Sequence, residues 1–165
     1  MRLLIADDNE GDLWLLALTI EEAKIECEIT QEIDSESVLA TIEAAERERK
    51  PLVLDLFVLD LFMPKLGGLE LAKEIRMYPH FDRVPIVILT SVLTVADQKV
   101  IDQIPFCFPM LKPTCLEEWK SLGEILRTIV TCKDPSQISM EPFAQQRENR
   151  VTQSARKNSV SSGSD

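Results

Sequence analysis

The stretch DLFVLDLFMPKLGG, residues 55–68, spells one triplet twice, Asp55-Leu56-Phe57 and Asp60-Leu61-Phe62, inside an apolar run. Residues 52–59 form a short, near-continuous aliphatic segment, the pattern of a strand covered on both faces in a parallel sheet. The Met63-Pro64-Lys65-Leu66-Gly67-Gly68 segment then turns the chain away, and Leu69, Ala72 and Ile75 continue at helical spacing. The stretch therefore reads as strand, turn and helix. Its two aspartates are five apart, so on a strand they face opposite sides. Asp55 lies near the strand entrance, where a solvated or hydrogen-bonded acid is expected, and Asp60 lies at the exit.

The same alternation runs outward in both directions. Strands are expected over residues 3–6, 27–33, 52–59, 84–89 and 106–111. Helices are expected over 9–23, 35–50, 68–78, 94–103 and 114–130. The last helix opens on Thr114-Cys115-Leu116-Glu117, a capping-box pattern, and carries a stripe of Leu116, Trp119, Leu122, Leu126 and Ile129. Five βα units imply an α/β fold, a doubly wound five-stranded parallel sheet with helices on both faces. Hydrophobic residues thin out after residue 131, so the expected domain spans 1–131. Residues 132–165 are expected to be a polar, Ser-rich, disordered tail, with weak helical character over 142–151.

Composition removes several function classes. The chain has 165 residues, 45% hydrophobic and 28% charged, with a formal net charge of −10. A surplus of acid argues against a nucleic-acid surface, which needs clustered Lys and Arg. Cys27, Cys107, Cys115 and Cys132 form no CxxC pair, which excludes zinc and thioredoxin-type readings on spacing. No segment is apolar over the roughly 20 residues of a membrane span, and no signal peptide is legible. The expectation is a protein of the reducing cytoplasm.

In doubly wound sheets, ligands bind outside the carboxyl ends of the strands. Asp7 and Asp8 follow the first strand, Asp60 ends the third, Thr90 and Ser91 end the fourth, and Lys112 ends the fifth. Singly, Asp7 or Asp8 could cap a helix, Thr90-Ser91 could form a turn, and Lys112 could be an exposed lysine. Together they place three acids, a hydroxyl and an ammonium on one rim. Crowded carboxylates call for a cation, and all-oxygen donors favour a hard one such as Mg2+. A carboxylate beside a lysine and such a cation can accept a phosphoryl group, because both neutralise developing charge.

Asp7-Asp8, Asp60 within VLDLFMPKLGGLELAKEIR, Thr90 within PIVILTS and Lys112 within LKP resemble the receiver domain of two-component response regulators. The resemblance covers residues 1–131 and implies a flavodoxin-like three-layer (βα)5 sandwich with strand order 2-1-3-4-5. It implies that Asp60 is the phosphoacceptor, served by a histidine kinase or a histidine phosphotransfer protein. Asp7, Asp8, Asp60 and the backbone carbonyl of Phe62 would hold Mg2+. Thr90 and Lys112 would meet the phosphoryl group, and the Lys112–Pro113 bond would be cis. A stand-alone receiver is expected, not a conventional enzyme: it would phosphorylate itself from a donor, lose the group slowly, and signal to a downstream protein or a homodimer partner. The expected partner face is helix four, strand five and helix five.

Two departures stand out. An aromatic switch residue is common in that family three positions before the lysine, and Pro109 stands there, with Phe106 and Phe108 as the nearest candidates. This favours an alternative, an interaction module of receiver fold that signals poorly or without phosphorylation. Phe62 and Val92, each two residues beyond a site residue, are apolar and resemble positions that govern water access, so slow hydrolysis is expected. His80, the sole histidine, reads as a solvated loop residue. A metal-dependent phosphatase would want an acid where Phe62 stands, and a flavin protein would want a Ser/Thr/Gly-rich loop after the first strand.

Overall fold

A computed structural model describes residues 1–47 and 52–139. Five strands, β1 (Arg2–Ala6), β2 (Glu28–Glu32), β3 (Leu56–Asp60), β4 (Ile86–Thr90) and β5 (Cys107–Leu111), alternate with five helices. These are α1 (Glu10–Glu22), α2 (Ser35–Arg47), α3 (Gly68–Ile75), α4 (Val95–Ile101) and α5 (Leu116–Thr131). All four strand pairings are parallel and the order is β2-β1-β3-β4-β5, the expected doubly wound topology. No described helix is long and apolar enough to cross a membrane.

Strand periodicity sorts the core into two layers. Leu4, Phe57, Leu59, Ile86 and Ile88 face the layer built from α2, α3 and α4. Leu3, Ile5, Leu56, Val58, Val87 and Leu89 face the layer built from α1 and α5. The central strands β3 and β4 are buried at every position, which is why their sequences are apolar up to the last residue of each. Helix α5 lies close on α1 at Gly123, where a Cβ would sit 3.1 Å from the Thr19 carbonyl oxygen.

Several local expectations shift. Thr114 does not cap α5: the cap position is Cys115, without a side-chain bond. Instead Glu118 Oε2 accepts from the Thr114 amide at 2.7 Å and its hydroxyl at 3.0 Å, one residue later than a capping box requires. The box forms at α4, between Thr94 and Asp97. Leu116, expected in the apolar stripe, is 64% exposed, while Leu122, Leu126 and Ile129 are buried.

No peptide bond among the described residues is cis, so Lys112–Pro113 is trans, contrary to expectation; trans is the intrinsic preference of X–Pro bonds. Residues 132–139, expected as tail, include a 3-10 turn, Pro135–Gln137, and Ile138 packs on the α1/α5 layer. The expected helical patch at 142–151 lies outside the described residues.

Pro109 falls within β5, an edge strand. The Ile86 amide donates to the Phe106 carbonyl, and the Lys112 amide donates to the Thr90 carbonyl. Even-numbered residues of β5 thus turn their backbone groups toward β4, and Pro109, an odd one, points its nitrogen away from the sheet. An edge strand tolerates proline there because no ladder bond is lost.

Candidate functional site

The parity that sorts the core also builds the site. Asp7 continues the register of Leu3 and Ile5, Asp60 that of Leu56 and Val58, and Lys112 that of Phe108 and Met110, all on the α1/α5 side. Each residue is the first polar one past, or at the end of, its apolar strand. The three therefore converge at the carboxyl rim.

The Lys112 ammonium sits among carboxylates: Nζ lies 2.6 Å from Asp7 Oδ2, 2.8 Å from Asp12 Oδ2 and 2.8 Å from Asp60 Oδ1. Asp7 is 4% exposed and Asp60 5% exposed, so these acids are largely removed from water. Burial pushes the Asp7 carboxyl above its ordinary value, although the Lys112 hydrogen bond works in the opposite direction. Burial also works against the Lys112 ammonium, but its bonds to Asp12, Asp60 and Asp7 prevail and hold it above the ordinary lysine value.

Asp60 is fixed on its other side. Its Oδ2 accepts from the Phe62 amide at 2.6 Å, so both carboxylate oxygens have donors. The turn after it is pinned: the Gly68 amide donates to the Leu61 carbonyl at 2.9 Å. Buried Ser35 bridges from α2, donating to the Pro64 carbonyl at 3.3 Å and accepting from the Leu66 amide at 3.2 Å. Gly68 is required by close approach, since a Cβ there would lie 2.2 Å from the Asp60 carbonyl oxygen.

Asp7, Asp8 and Asp60 each offer a carboxylate oxygen, and these oxygens lie within 4.8 Å of one another. This all-oxygen donor set, one arm exposed and two buried, fits a hard divalent cation that keeps part of its water shell. Asp7 is oriented by accepting from the Asn9 amide at 3.0 Å, while the Asn9 side chain caps α1 by accepting from the Gly11 amide at 2.9 Å.

The remaining expected residues are placed differently. Thr90 is fully buried at the carboxyl end of β4, one residue past Leu89, the register partner of Asp60. Its hydroxyl donates to the Val92 carbonyl at 2.8 Å. Phe62 and Val92 are 64% and 60% exposed at the open rim.

Phe106 is not brought to the rim. It precedes β5 at the amino end, with φ of 53° and its ring 5.2 Å from the Arg83 guanidinium. Phe108 is buried in the α1/α5 layer beside Val87. Phe106 therefore stands at the strand entrance and Thr90 at a strand exit. His80 is exposed, in the 3-10 turn Pro79–Phe81.

Asp12 is the site residue that the sequence did not single out. It lies in the first turn of α1, where acids are ordinary. The usable signal was topological, because the first turn after β1 opens at the carboxyl rim.

Against this geometry, the chain matches the family model of the response regulator receiver domain over residues 3–104. It is 30% identical over 90 residues to response regulator Rcp1 of Synechocystis sp., covering 54% of this chain and 60% of that protein. It is 28% identical over 124 residues to stress response regulator protein 1 of Debaryomyces hansenii, covering 70% of this chain and 48% of that one. The chain thus spans about half to three fifths of the length of these relatives. The crystal structure of the Mn2+-bound form of response regulator Rcp1 is similar at a TM-score of 0.69 and 25% identity, over 81% of this chain and 98% of that chain.

Proposed function

The chain belongs to the response regulator receiver domain family, and from that premise we propose that it is a phosphorylation switch whose acceptor is Asp60. The observation that carries the reading is Lys112 Nζ at 2.8 Å from Asp60 Oδ1, beside the cluster of Asp7, Asp8 and Asp60. The donor is a histidine kinase or a histidine phosphotransfer protein. A carboxylate oxygen of Asp60 attacks the phosphorus of the donor's phosphohistidine. The P–N bond breaks, the imidazole leaves with the electron pair, and solvent supplies its proton.

Each residue has a physical task in this step. Asp7, Asp8, Asp60 and the Phe62 carbonyl would hold Mg2+, which supplies positive charge to a phosphoryl group in transfer. Lys112 supplies a second positive charge at Asp60. The Phe62 amide fixes the rotamer of Asp60, so the nucleophile is held in one orientation. Thr90 exchanges its bond to the Val92 carbonyl for one to the phosphoryl oxygen, and the face of α4, β5 and α5 presents the result to a downstream protein or a second copy of the chain. Phe62 and Val92 flank the opening and slow the entry of hydrolytic water.

The test is incubation with Mg2+ and a small-molecule phosphodonor, read by intact mass. Wild type should gain one phosphoryl group and Asp60→Asn none. A second reading, a receiver-fold interaction module that signals poorly or without phosphorylation, draws support from Pro109, which has no rotamer to switch, and from the distance of Phe106 from the rim. A folded wild type that binds Mg2+ but gains no mass would favour it.

A further inference from the structure

Asp12 holds the third helical position of α1, after the Asn9 cap. An acid there ordinarily serves the helix itself, by accepting the cap residue's amide or by facing the positive helix end. In this chain the Asn9 amide is already taken by Asp7 Oδ1, and the Asn9 side chain supplies the cap. The Asp12 carboxylate turns instead to Lys112, 100 residues away in sequence, at 2.8 Å. An ammonium has three N–H donors, and Asp7, Asp12 and Asp60 present carboxylate oxygens to it at 2.6, 2.8 and 2.8 Å.

Two of these three carboxylates, Asp7 and Asp60, also belong to the cation cluster, and Asp12 does not. A carboxylate that serves a divalent cation shares its charge and is a weaker partner for lysine. Asp60, as acceptor, also loses a negative oxygen when a P–O bond forms on it. Asp12 alone can grip the ammonium without giving up another duty. Its side chain is 27% exposed, against 15% for Lys112, so it approaches from the solvent side while Asp7 and Asp60 form the floor.

We propose that Asp12 is a positioning residue of the phosphoryl-acceptor site: it holds the Lys112 ammonium over Asp60 so that the incoming phosphoryl group meets positive charge already in place. Asp12 acts through Lys112 and touches no reacting atom. The inference rests on the reading of Asp60 as acceptor.

The test uses the full chain as wild type, Asp12→Asn, Asp12→Glu, Lys112→Met and the Asp12→Asn/Lys112→Met double variant. Two readouts are taken: the rate of phosphoryl gain from a small-molecule donor with Mg2+, and the exchange of lysine ammonium protons by nitrogen-15 NMR in metal-free protein. Asp12→Asn should slow phosphoryl gain about tenfold, the loss of one charged hydrogen bond, and Asp12→Glu should recover part of it. In the Lys112→Met background Asp12→Asn should add nothing, because both changes remove the same interaction. The slowly exchanging Lys112 signal of wild type should broaden in Asp12→Asn.

Equal slowing by Asp12→Asn with and without Lys112 would overturn the proposal, as would an unchanged rate and ammonium signal. If Asp12→Asn fails to fold, Asp12→Glu carries the test: an ammonium signal as broad as that of a solvated lysine in wild type and Glu variant alike would overturn it. A wild type that gains no phosphoryl group overturns the Asp60 reading and this inference together. A phosphorylated wild type matched in rate and signal by Asp12→Asn overturns the inference alone.

Discussion

The two ends of the sheet treat their acids in opposite ways. At the amino rim, Asp55 Oδ2 accepts from the Arg2 amide at 2.7 Å, and the Asp55 amide donates to the Arg2 carbonyl at 2.8 Å. Exposed ion pairs there join Arg2 to Glu28 and Arg83 to Asp134, and Arg76 is held by backbone carbonyls. At the carboxyl rim, Asp7, Asp12 and Asp60 converge on one lysine, with Asp8 beside them. The amino rim gathers no carboxylates on a shared cation, whereas the carboxyl rim carries acid beyond what its lysine neutralises. Uncompensated buried charge is costly, and that surplus is the physical reason to place chemistry at one end only.

Three substitutions would break or sharpen this contrast. The largest effect is expected from Gly68→Ala, which drives a Cβ into the Asp60 carbonyl, where only backbone can yield. Urea denaturation should show a loss of about 3 kcal/mol, the upper end for overpacking, with phosphoryl gain impaired as Asp60 shifts. Asp55→Ala should cost about 1 kcal/mol, the worth of an ordinary hydrogen bond, and leave phosphoryl gain at the wild-type rate. A phosphorylation defect in Asp55→Ala would dissolve the distinction between the rims. Phe62→Asn should leave stability within about 0.5 kcal/mol, as for an exposed position. It should shorten the phosphoaspartate lifetime severalfold, followed by intact mass after donor removal.

Much of this contrast is legible in the amino-acid sequence. The odd spacing of Asp55 and Asp60, combined with strand polarity, already assigns them to different faces and ends. Asp7, Asp60 and Lys112 were legible because each terminates an apolar run, and a parallel sheet sends every such terminus to the same rim. Asp12 was hidden for a different reason. A helix-start acid is explained locally, and its contact with Lys112 arises only from tertiary closure across 100 residues. Arg76 was hidden in the same way. Its guanidinium and Nε donate to the Pro105, Phe81, Val84 and Phe106 carbonyls, tying the end of α3 to the entrances of β4 and β5. Phe106 stands just before β5 and Lys112 just after it, so about 3.3 Å of rise per residue keeps them at opposite ends.

The outward-facing nitrogen of Pro109 has a consequence for association. A free sheet edge normally invites a foreign strand, because it exposes a row of unpaired amides. Here one outer edge lacks a donor at the middle of β5, and the other edge, β2, is a short strand with an acid at each end, Glu28 and Glu32. Both edges of the sheet thus carry features that disfavour the addition of a foreign strand.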